Sequence, residues 1–319
     1  MATVLLDFPQ NLFYTESGRE NPAASLIFER VSAMTEVSAR ARRRGTLCVC
    51  TASMLYSIGG LFIKMVPWNA MSINAGRNFI AACVIGVYLL LTHQKLRMNR
   101  SILLGAFAIL GSQALFAVAT KMTTAANAIV LEFTAPVFVI LFTLIFWKRK
   151  PDKVDILACI AVFAGVICFF LDSLEVGGTA GNLIALASGV TTAVFFLLRD
   201  MPDSDPISSV FWGEILCVLV GAPFVAQETD FSMAAVGCVL ILGFFQVGIA
   251  YILMCFGLKT TPALTASLTN ALEPIFNPVW VAIFWDEKLS WLALVGGVIV
   301  IGSIVCYNVL KTRQKEAKA

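Results

Sequence analysis

The chain has 319 residues, of which 59% are hydrophobic and 13% are charged, and its mean hydropathy is +0.85. In soluble domains roughly a quarter of the residues are charged, so this composition excludes a soluble globular protein and indicates an integral membrane protein. The net charge of +3 comes from basic residues beside apolar segments, which membrane topology explains, so we expect no nucleic acid as a partner.

The first 44 residues differ from the rest of the chain. They are polar and rich in turn-forming residues, and they end in the basic run 40–44, RARRR. The order of a signal peptide, in which a basic start precedes a short apolar core and a cleavage site, is not followed. We therefore expect residues 1–44 to form a flexible cytoplasmic tail. Met34 would also serve as a start, so the sequence leaves open whether residues 1–33 belong to the native protein.

Apolar runs long enough to cross a bilayer as a helix, about 20 residues each, occur ten times. The predicted spans are 46–65, 72–92, 101–120, 124–147, 153–171, 181–199, 207–226, 232–257, 261–285 and 290–310. Because the connections are short, consecutive helices should be antiparallel neighbours. The predicted fold class is an all-α polytopic membrane protein with ten transmembrane helices.

Basic residues are concentrated in alternate loops. With both termini in the cytoplasm, the inside segments hold seventeen Lys or Arg residues, and the outside segments hold three, Lys64, Lys121 and Lys288. Positive charge is kept on the cytoplasmic side of membrane proteins. We therefore predict cytoplasmic N and C termini, with residues 311–319 as a basic cytoplasmic tail.

Residues 121–147 are repeated as residues 259–285. Aligned without a gap at an offset of 138 positions, the two stretches are identical at nine of 27 positions, among them Pro136/Pro274 and the final Phe-Trp. The chain is therefore a duplication.

The duplication predicts the domain organisation. Five spans in each half, an odd number, insert the second half upside down relative to the first, which is an inverted-topology repeat. The predicted units are residues 46–171 and 181–310, and residues 172–180 form an external linker.

This combination of features resembles the drug/metabolite transporter superfamily, specifically its EamA family. The features are ten spans in two inverted five-helix units, a "P-x-F…F-W" ending of helices 4 and 9, and Gly-rich fifth and tenth helices. The glycines are Gly165, Gly296, Gly297 and Gly302. The resemblance covers all of the chain but its tails. It implies secondary transport of small metabolites, often export of amino acids or drugs, through a central cavity lined chiefly by helices 1, 3, 4, 6, 8 and 9.

The ninth span carries polar residues that are costly in lipid. Helical spacing predicts that Asn270, Glu273 and Asn277 share one stripe. Pro274 and Pro278 lack amide hydrogens, so this helix should be kinked or partly unwound near the middle of the membrane. Transporters built from repeats place their binding sites at such interrupted helices.

In the fourth span, Glu132 occupies the position equivalent to Asn270, and Pro136 is the matching helix breaker. Our hypothesis is that Glu132 and Glu273 face the cavity, where one binds an amino or cationic group of the substrate and either exchanges a proton. Burial favours the protonated form of a carboxyl group, which makes proton coupling feasible. The alternative is that each acid pairs with Arg77 or with backbone groups and only locks helices together.

Other polar and aromatic residues within the spans admit two interpretations each. Gln113 and Gln246 lie in corresponding helices and are either cavity groups or interhelical hydrogen-bonding partners. Tyr56, with Tyr251 and Trp212, would form an aromatic wall for an apolar part of the substrate or belong to lipid-facing belts.

Two further charges lie in helices that the resemblance makes peripheral. Arg77 is able to snorkel to the outer surface from helix 2, and Glu214 should lie near the inner end of helix 7. Structure or gating is therefore the favoured assignment for both, and a role in the site is the alternative. Small residues such as Gly59-Gly60 and Gly296-Gly297 should let helices approach closely.

No Cys or His spacing suggests a metal site, and no cofactor is expected. We predict a secondary active transporter, not an enzyme, that exports a small amino acid-like or amphipathic metabolite with proton coupling. Uptake or exchange of a cationic metabolite and a membrane-embedded enzyme are the alternatives. The expected partners are a small-molecule substrate and the lipid bilayer, the expected location is the bacterial cytoplasmic membrane, and a homodimer stays open.

Overall fold

The structure is a computed structural model that describes residues 22–63, 65–174, 178–285 and 290–316, within which all regular structure is helical. The α-helices are α1 (Pro22–Ser57), α2 (Gly59–Ile63), α3 (Ala70–Leu91), α4 (Arg100–Met122), α5 (Ala125–Glu132), α6 (Ala135–Trp147), α7 (Lys153–Phe170), α8 (Thr179–Leu197), α9 (Pro206–Val225), α10 (Met233–Ile241), α11 (Ala250–Leu258), α12 (Ala263–Thr269), α13 (Leu272–Trp285) and α14 (Trp291–Glu316). A π-helical segment, Leu242–Ile249, joins α10 to α11.

Nine segments of the described residues are long and apolar enough to cross a bilayer. This number confirms an integral membrane protein of helices, but it is one fewer than the ten predicted spans. The ninth predicted span, 261–285, is divided into α12 with 7 residues and α13 with 14 residues, and neither piece reaches the length of a span. The predicted span 124–147 is also divided, into α5 and α6, but the stretch Ala126–Trp147 as a whole is one of the nine.

The first helix begins earlier than the sequence predicts. α1 runs without a break from Pro22 to Ser57, so residues 22–44 are helical where a flexible tail was expected. Pro is favoured in the first turn of a helix, and no further Pro or Gly occurs before Gly45 to end it. Residues 1–21, the rest of the expected tail, lie outside the described residues.

Polar caps set the starts of several helices. The side chains of Asn69 and Asn99 each accept a hydrogen bond from a backbone N–H in the first turn of the following helix. Asp152 and Asp155 form a reciprocal capping box at the start of α7. Three boundaries predicted from hydropathy therefore have a local cause in the loop sequence.

The helices pack in pairs that mostly combine one half of the chain with the other. α4 packs against α8 and α9, α3 packs against α9 and the π segment, α1 packs against α11, and α7 packs against α14. Buried side chains from the first, fourth, eighth and eleventh helices meet in the main core: Val49, Ile109, Leu197 and Met254. The two halves thus share one core.

Glycines bring α7 and α14 into direct backbone contact. A Cβ at Gly296 would lie 2.4 Å from the Phe169 nitrogen and 2.6 Å from the Gly165 oxygen. Helices approach this closely in membranes only where small residues face each other, as expected for the Gly296-Gly297 pair.

Candidate substrate site

The two aligned stretches of the duplication are interrupted at the same aligned position. α5 ends at Glu132 and α6 begins at Ala135, while α12 ends at Thr269 and α13 begins at Leu272. With the offset of 138 positions, the turn at 133–134 corresponds to 271–272, so the two interruptions agree within about a residue, the usual uncertainty of helix ends. The sequence prediction of a kink in these helices thus has a structural counterpart in both halves.

Proline places the two interruptions, with one difference from the prediction. Pro136 is in the first turn of α6 and Pro274 is the third residue of α13, positions where the missing N–H removes no intrahelical bond. The Asn270 carbonyl, which Pro274 leaves without its usual donor, accepts a hydrogen bond from the Glu273 N–H at 2.9 Å. α13 continues through Pro278, so the second expected interruption does not occur.

Asn270 and Glu273 form a polar pair across the break between α12 and α13. Asn270 Nδ2 donates to Glu273 Oε2 at 3.1 Å, and the Ser53 hydroxyl of α1 donates to Asn270 Oδ1 at 3.1 Å. Asn270 is 8% exposed and Glu273 is half-buried. The pair therefore lies inside the bundle, where α1 meets α12 and α13.

Glu132 occupies the matching break in the first half. Its Oε1 accepts a hydrogen bond from the Thr192 hydroxyl of α8 at 3.4 Å. Gly189 lets α8 approach, because a Cβ there would lie 2.9 Å from the Glu132 carbonyl oxygen. The two acids that the sequence singles out thus lie at matching breaks, and the helices of these breaks are in contact, since α12 packs against α6 and α8.

Asn277 lies farther along α13 and contacts a different element. A Cβ at Gly60 would lie 2.0 Å from Asn277 Oδ1, so this amide packs directly on the backbone of α2. One turn later, Trp280 Nε1 donates to the Ser57 hydroxyl at 2.8 Å. The polar side of α13 thus faces the end of α1 and the short helix α2.

Gln113 and Gln246 converge on Arg77. Arg77 Nη2 lies 3.3 Å from Gln113 Oε1, and its Nη1 lies 3.2 Å from Gln246 Oε1. The expectation that Arg77 snorkels to the outer surface is wrong, because its guanidinium points to interior amides and also bonds to Asn74 Oδ1 at 2.8 Å. The repeat offset of 138 positions takes Gln113 to position 251, five residues beyond Gln246, so the alignment did not predict that the two glutamines share a partner.

The π-helical segment has a role in this convergence. Gln246 lies within it, donates from Nε2 to the Tyr56 carbonyl oxygen at 3.5 Å, and packs against Gly59. π-helical turns are rare and frequent at functional sites, because they re-aim side chains within an otherwise regular helix. Sequence periodicity gave no sign of this segment.

Glu214 is deeply buried, contrary to the expectation of a shallow position. It is 0% exposed in the middle of α9, and its Oε1 accepts a hydrogen bond from Gln113 Nε2 at 3.3 Å. Gln113 thus connects Arg77 to Glu214. The two charges that the sequence assigns to the periphery belong to one interior polar network.

Aromatic side chains line the region next to this network. The Tyr56 and Tyr251 rings pack edge to face with centroids 5.3 Å apart, and Tyr251 meets Phe195 at 5.6 Å. Trp212, the third residue of the expected aromatic wall, instead donates to the Arg97 carbonyl oxygen at 3.2 Å in an exposed position. Phe195, and not Trp212, is the third aromatic residue that packs with the two tyrosines.

The profile of the EamA-like transporter family matches the chain twice, at residues 43–171 and 179–309. The protein belongs to the EamA-like transporter family. This membership confirms the resemblance to the drug/metabolite transporter superfamily, and it makes the protein a transporter of the membrane and not an enzyme. A small-molecule substrate and the lipid bilayer are therefore its partners.

Proteins similar to this chain are found in bacteria, in an archaeon and in human. An uncharacterized transporter of Clostridium kluyveri is 27% identical over 65% of this chain and 71% of its own. Human solute carrier family 35 member G1 is 24% identical over 82% of this chain and 78% of its own length. The pseudopaline exporter CntI of Pseudomonas aeruginosa is 26% identical over 59% of this chain and 67% of its own length. A solved crystal structure with 18% identity superposes with a TM-score of 0.73 over 84% of this chain and 98% of its own, which shows the shared fold.

For this EamA-family member, sequence reasoning missed several residues around the acids. The hydroxyl groups of Ser53 and Thr192 donate to Asn270 and Glu132, respectively. Farther along α13, the indole N–H of Trp280 donates to the Ser57 hydroxyl. Hydroxyl residues are common in apolar helices and carry no periodic signal, although Trp280 could have been found at one turn from Asn277. Among the described residues no group of three or more His, Cys, Asp or Glu side chains could hold a metal ion.

Proposed function

We propose that this transporter exports a small amphipathic metabolite with an amino group across the bacterial cytoplasmic membrane, by alternating access and with proton coupling. The observation that carries the proposal is the pair of matched helix breaks, each with a carboxyl group beside it. The helices of the two breaks are in contact inside the bundle, since α12 packs against α6 and α8. An amino group bound at one of the two acids would have a charged partner there, and the other acid would be available to exchange a proton.

Alternating access requires two halves that can exchange roles, and the packing of the helices supports this. In the two repeats α1 corresponds to α8, α3 to α9, and α4 to the π segment with α11. When each helix is replaced by its counterpart, the α4–α8 contact becomes the α11–α1 contact, and the α4–α9 contact becomes the contact of the π segment with α3. The α5–α8 contact likewise becomes α12–α1. This pairing supports two inverted five-helix units, in which α5 with α6 and α12 with α13 count as helices 4 and 9.

The predicted orientation has both termini in the cytoplasm. Seventeen basic residues in the inside segments against three in the outside segments carry this part of the proposal. Bacterial relatives, such as the transporter of Clostridium kluyveri, support the cytoplasmic membrane of a bacterium as the location. The relative described as a pseudopaline exporter supports export as the direction.

Proton coupling rests on the environment of the two acids. In an apolar interior the neutral form of a carboxyl group is favoured until a cation arrives, so substrate binding and proton release can be linked. Thr192 and Asn270 each supply one hydrogen bond to the acids, which leaves carboxylate oxygens available for a substrate ammonium group.

Counterflow in proteoliposomes tests the proposal. The purified protein would be assayed against amino acids, polyamines, nucleosides and quaternary ammonium compounds, with and without a proton gradient. Glu132→Gln and Glu273→Gln should each lower the rate about 10- to 100-fold, since a charge-assisted hydrogen bond contributes about 1.5–3 kcal/mol. Asp203→Asn is the matched control, because it makes the same chemical change in a loop where the left-handed backbone suits Asn.

Each part of the proposal has its own contrary result. Unchanged rates in both glutamine variants would remove the two acids from the site. Flux that ignores collapse of the proton gradient would remove the coupling. Equal flux of polyamines and amino acids would favour the uptake or exchange of a cationic metabolite, because two acids suit a compound with two positive charges.

A further inference from the structure

Arg77 is a charge held inside the bundle by neutral groups. Its guanidinium donates to Asn74 Oδ1 on its own helix, to Gln113 Oε1 on α4 and to Gln246 Oε1 in the π segment. The last two contacts measure 3.3 and 3.2 Å, longer than the 2.7–2.9 Å typical of bonds between Arg and a carboxylate. Three elements thus position the guanidinium, and none of the oxygens facing it carries a charge.

Glu214 does not take the place of a direct counter-ion. Its carboxyl group meets Gln113 Nε2, so an amide separates it from Arg77. In the part of the chain that the structure describes, no ion pair within 4.0 Å involves Arg77. A charge in a membrane span is costly unless it is paired, and such charges commonly mark substrate pathways.

A second, independent feature points to a polar ligand at the same place. Tyr56 is 9% exposed, and its hydroxyl group has no hydrogen-bond partner among the described residues. Its own carbonyl oxygen accepts the bond from Gln246 Nε2. Buried hydroxyl groups are almost always paired, so the hydroxyl of Tyr56, a residue whose backbone contacts the Arg77 network, is available to donate to a ligand oxygen.

The chemistry of the guanidinium selects the ligand group. Its planar fork of N–H donors matches the two oxygens of a carboxylate and forms two parallel charge-assisted bonds. Exchange of the long contacts to Gln113 and Gln246 for such a pair would replace neutral acceptors with a charged one. Hydrogen bonds connect Arg77 and Glu273 to neighbouring turns of α1. Gln246, which bonds to Arg77, donates to the Tyr56 carbonyl oxygen, and Ser53 donates to Asn270, the partner of Glu273. A molecule bound against this part of α1 would meet both charges.

We propose that Arg77 is a specificity-determining residue that binds a carboxylate, or a similar planar oxyanion, of the transported molecule. The Gln113 and Gln246 amides hold the guanidinium before the substrate binds and yield to it, and the Tyr56 hydroxyl donates to the same oxyanion. This inference rests on the proposed function, because Glu273 is taken to bind the amino group. The substrate class is then a zwitterion whose charges are read by Arg77 and Glu273.

Ligand trios that differ by one charged group test this inference. One trio is L-phenylalanine, 2-phenylethylamine and 3-phenylpropanoate, and a second is L-leucine, 3-methylbutylamine and 4-methylpentanoate. Binding to the purified full-length protein is measured as thermal stabilisation over a concentration series, which yields a dissociation constant for each compound. The variants are Arg77→Gln and Arg77→Lys, and Arg97→Gln in an exposed loop position is the matched control.

The expected result is that the wild type binds an amino acid about 10- to 100-fold more tightly than the corresponding amine, the range for a charge-assisted bond. Arg77→Gln should remove this preference, Arg77→Lys should retain part of it because the charge stays without the fork, and Arg97→Gln should keep it. Should Arg77→Gln fail to fold, the wild-type comparison and Arg77→Lys still decide.

The failures of this inference and of the proposed function give different patterns. Equal binding of the amine and the amino acid by the wild type overturns the role of Arg77 and leaves the amino-binding acids intact. Binding of the carboxylic acid and the amino acid to the same extent supports Arg77 and overturns the role of Glu273. A preference that survives Arg77→Gln, or no binding by either trio, overturns the inference.

Discussion

The crossing of α7 and α14 gives a stability prediction whose magnitude comes directly from the structure. In Gly296→Ala the added methyl carbon would lie 2.4 Å from the Phe169 nitrogen and 2.6 Å from the Gly165 oxygen. Both atoms belong to the backbone and cannot rotate away, so the helices must separate by about 1 Å to reach a normal contact of about 3.5 Å. Overpacking of this kind costs about 1–3 kcal/mol, so Gly296→Ala should destabilise the protein by that amount.

Gly302→Ala is the matched control, because it makes the same change in the same helix with no atom within 4 Å of the added carbon. It should leave stability within about 0.5 kcal/mol of the wild type. Unfolding in detergent can be followed by the reaction of a fluorescent maleimide with buried cysteines, Cys159, Cys217 and Cys255 among them. At about 2–4 °C per kcal/mol, Gly296→Ala should melt several degrees below Gly302→Ala. Equal melting of the two variants would refute the close backbone contact.

Two further predictions concern the ends of helices. Partial burial tends to raise the pKa of Asp152. The hydrogen bonds from Lys311 and from the Asp155 N–H outweigh this effect and hold that pKa below its usual value. A carboxyl group whose pKa is lower in the folded than in the unfolded state stabilises the protein at pH values above its unfolded-state pKa. This stabilisation is lost as the pH falls through the folded-state pKa. In Lys311→Met the acid-side loss of stability, measured by melting between pH 3 and pH 6, should therefore be smaller than in the wild type, and an identical pH profile would contradict this. Gly189→Ala should slow counterflow several-fold, a larger loss than its lowered melting temperature would account for. The added Cβ would push α8 away from the break after α5. A variant with wild-type flux would show that this contact does not serve transport.

The membrane class, the spans and the interrupted helices could be predicted from the sequence. Hydropathy over about 20 residues reports the cost of polar groups in lipid, a cost that tertiary contacts hardly change. The positions of Pro136 and Pro274 predict interruptions because a missing N–H acts on its own helix. An interruption near Pro274 was predicted, but not that it would divide the span 261–285 into two separate helices, α12 and α13.

The direction of individual side chains could not be predicted. Arg77 was expected at the outer surface because a long side chain can snorkel, yet Asn74, Gln113 and Gln246 provide acceptors that keep it inside. Gln113 and Gln246 are remote from Arg77 in sequence. Asn74 lies one turn away, but that spacing alone does not predict a hydrogen bond to Arg77. The position of Gln246 depends on the π-helical segment, for which no sequence pattern is established.

The two breaks differ in where they place their acid, and this difference separates the roles of the acids. Glu132 is the last residue of α5, where the partial negative charge of a helix C-terminus disfavours a carboxylate. Glu273 is the second residue of α13, where the partial positive charge of the N-terminus favours one. We therefore propose that Glu273 binds the substrate cation and that Glu132 exchanges the proton.

This division predicts different effects of the two glutamine variants. Glu273→Gln should raise the substrate concentration needed for half-maximal counterflow about tenfold or more and retain the pH dependence, since it removes the charge that binds the amino group. Glu132→Gln should flatten the pH dependence and change the half-maximal concentration little. Because both variants replace a carboxyl group with an amide of the same shape, a general loss of folding would affect both parameters together. If the two variants changed the same parameter to the same extent, the helix ends would not distinguish the acids, and the duplicated breaks would be equivalent in chemistry as well as in backbone.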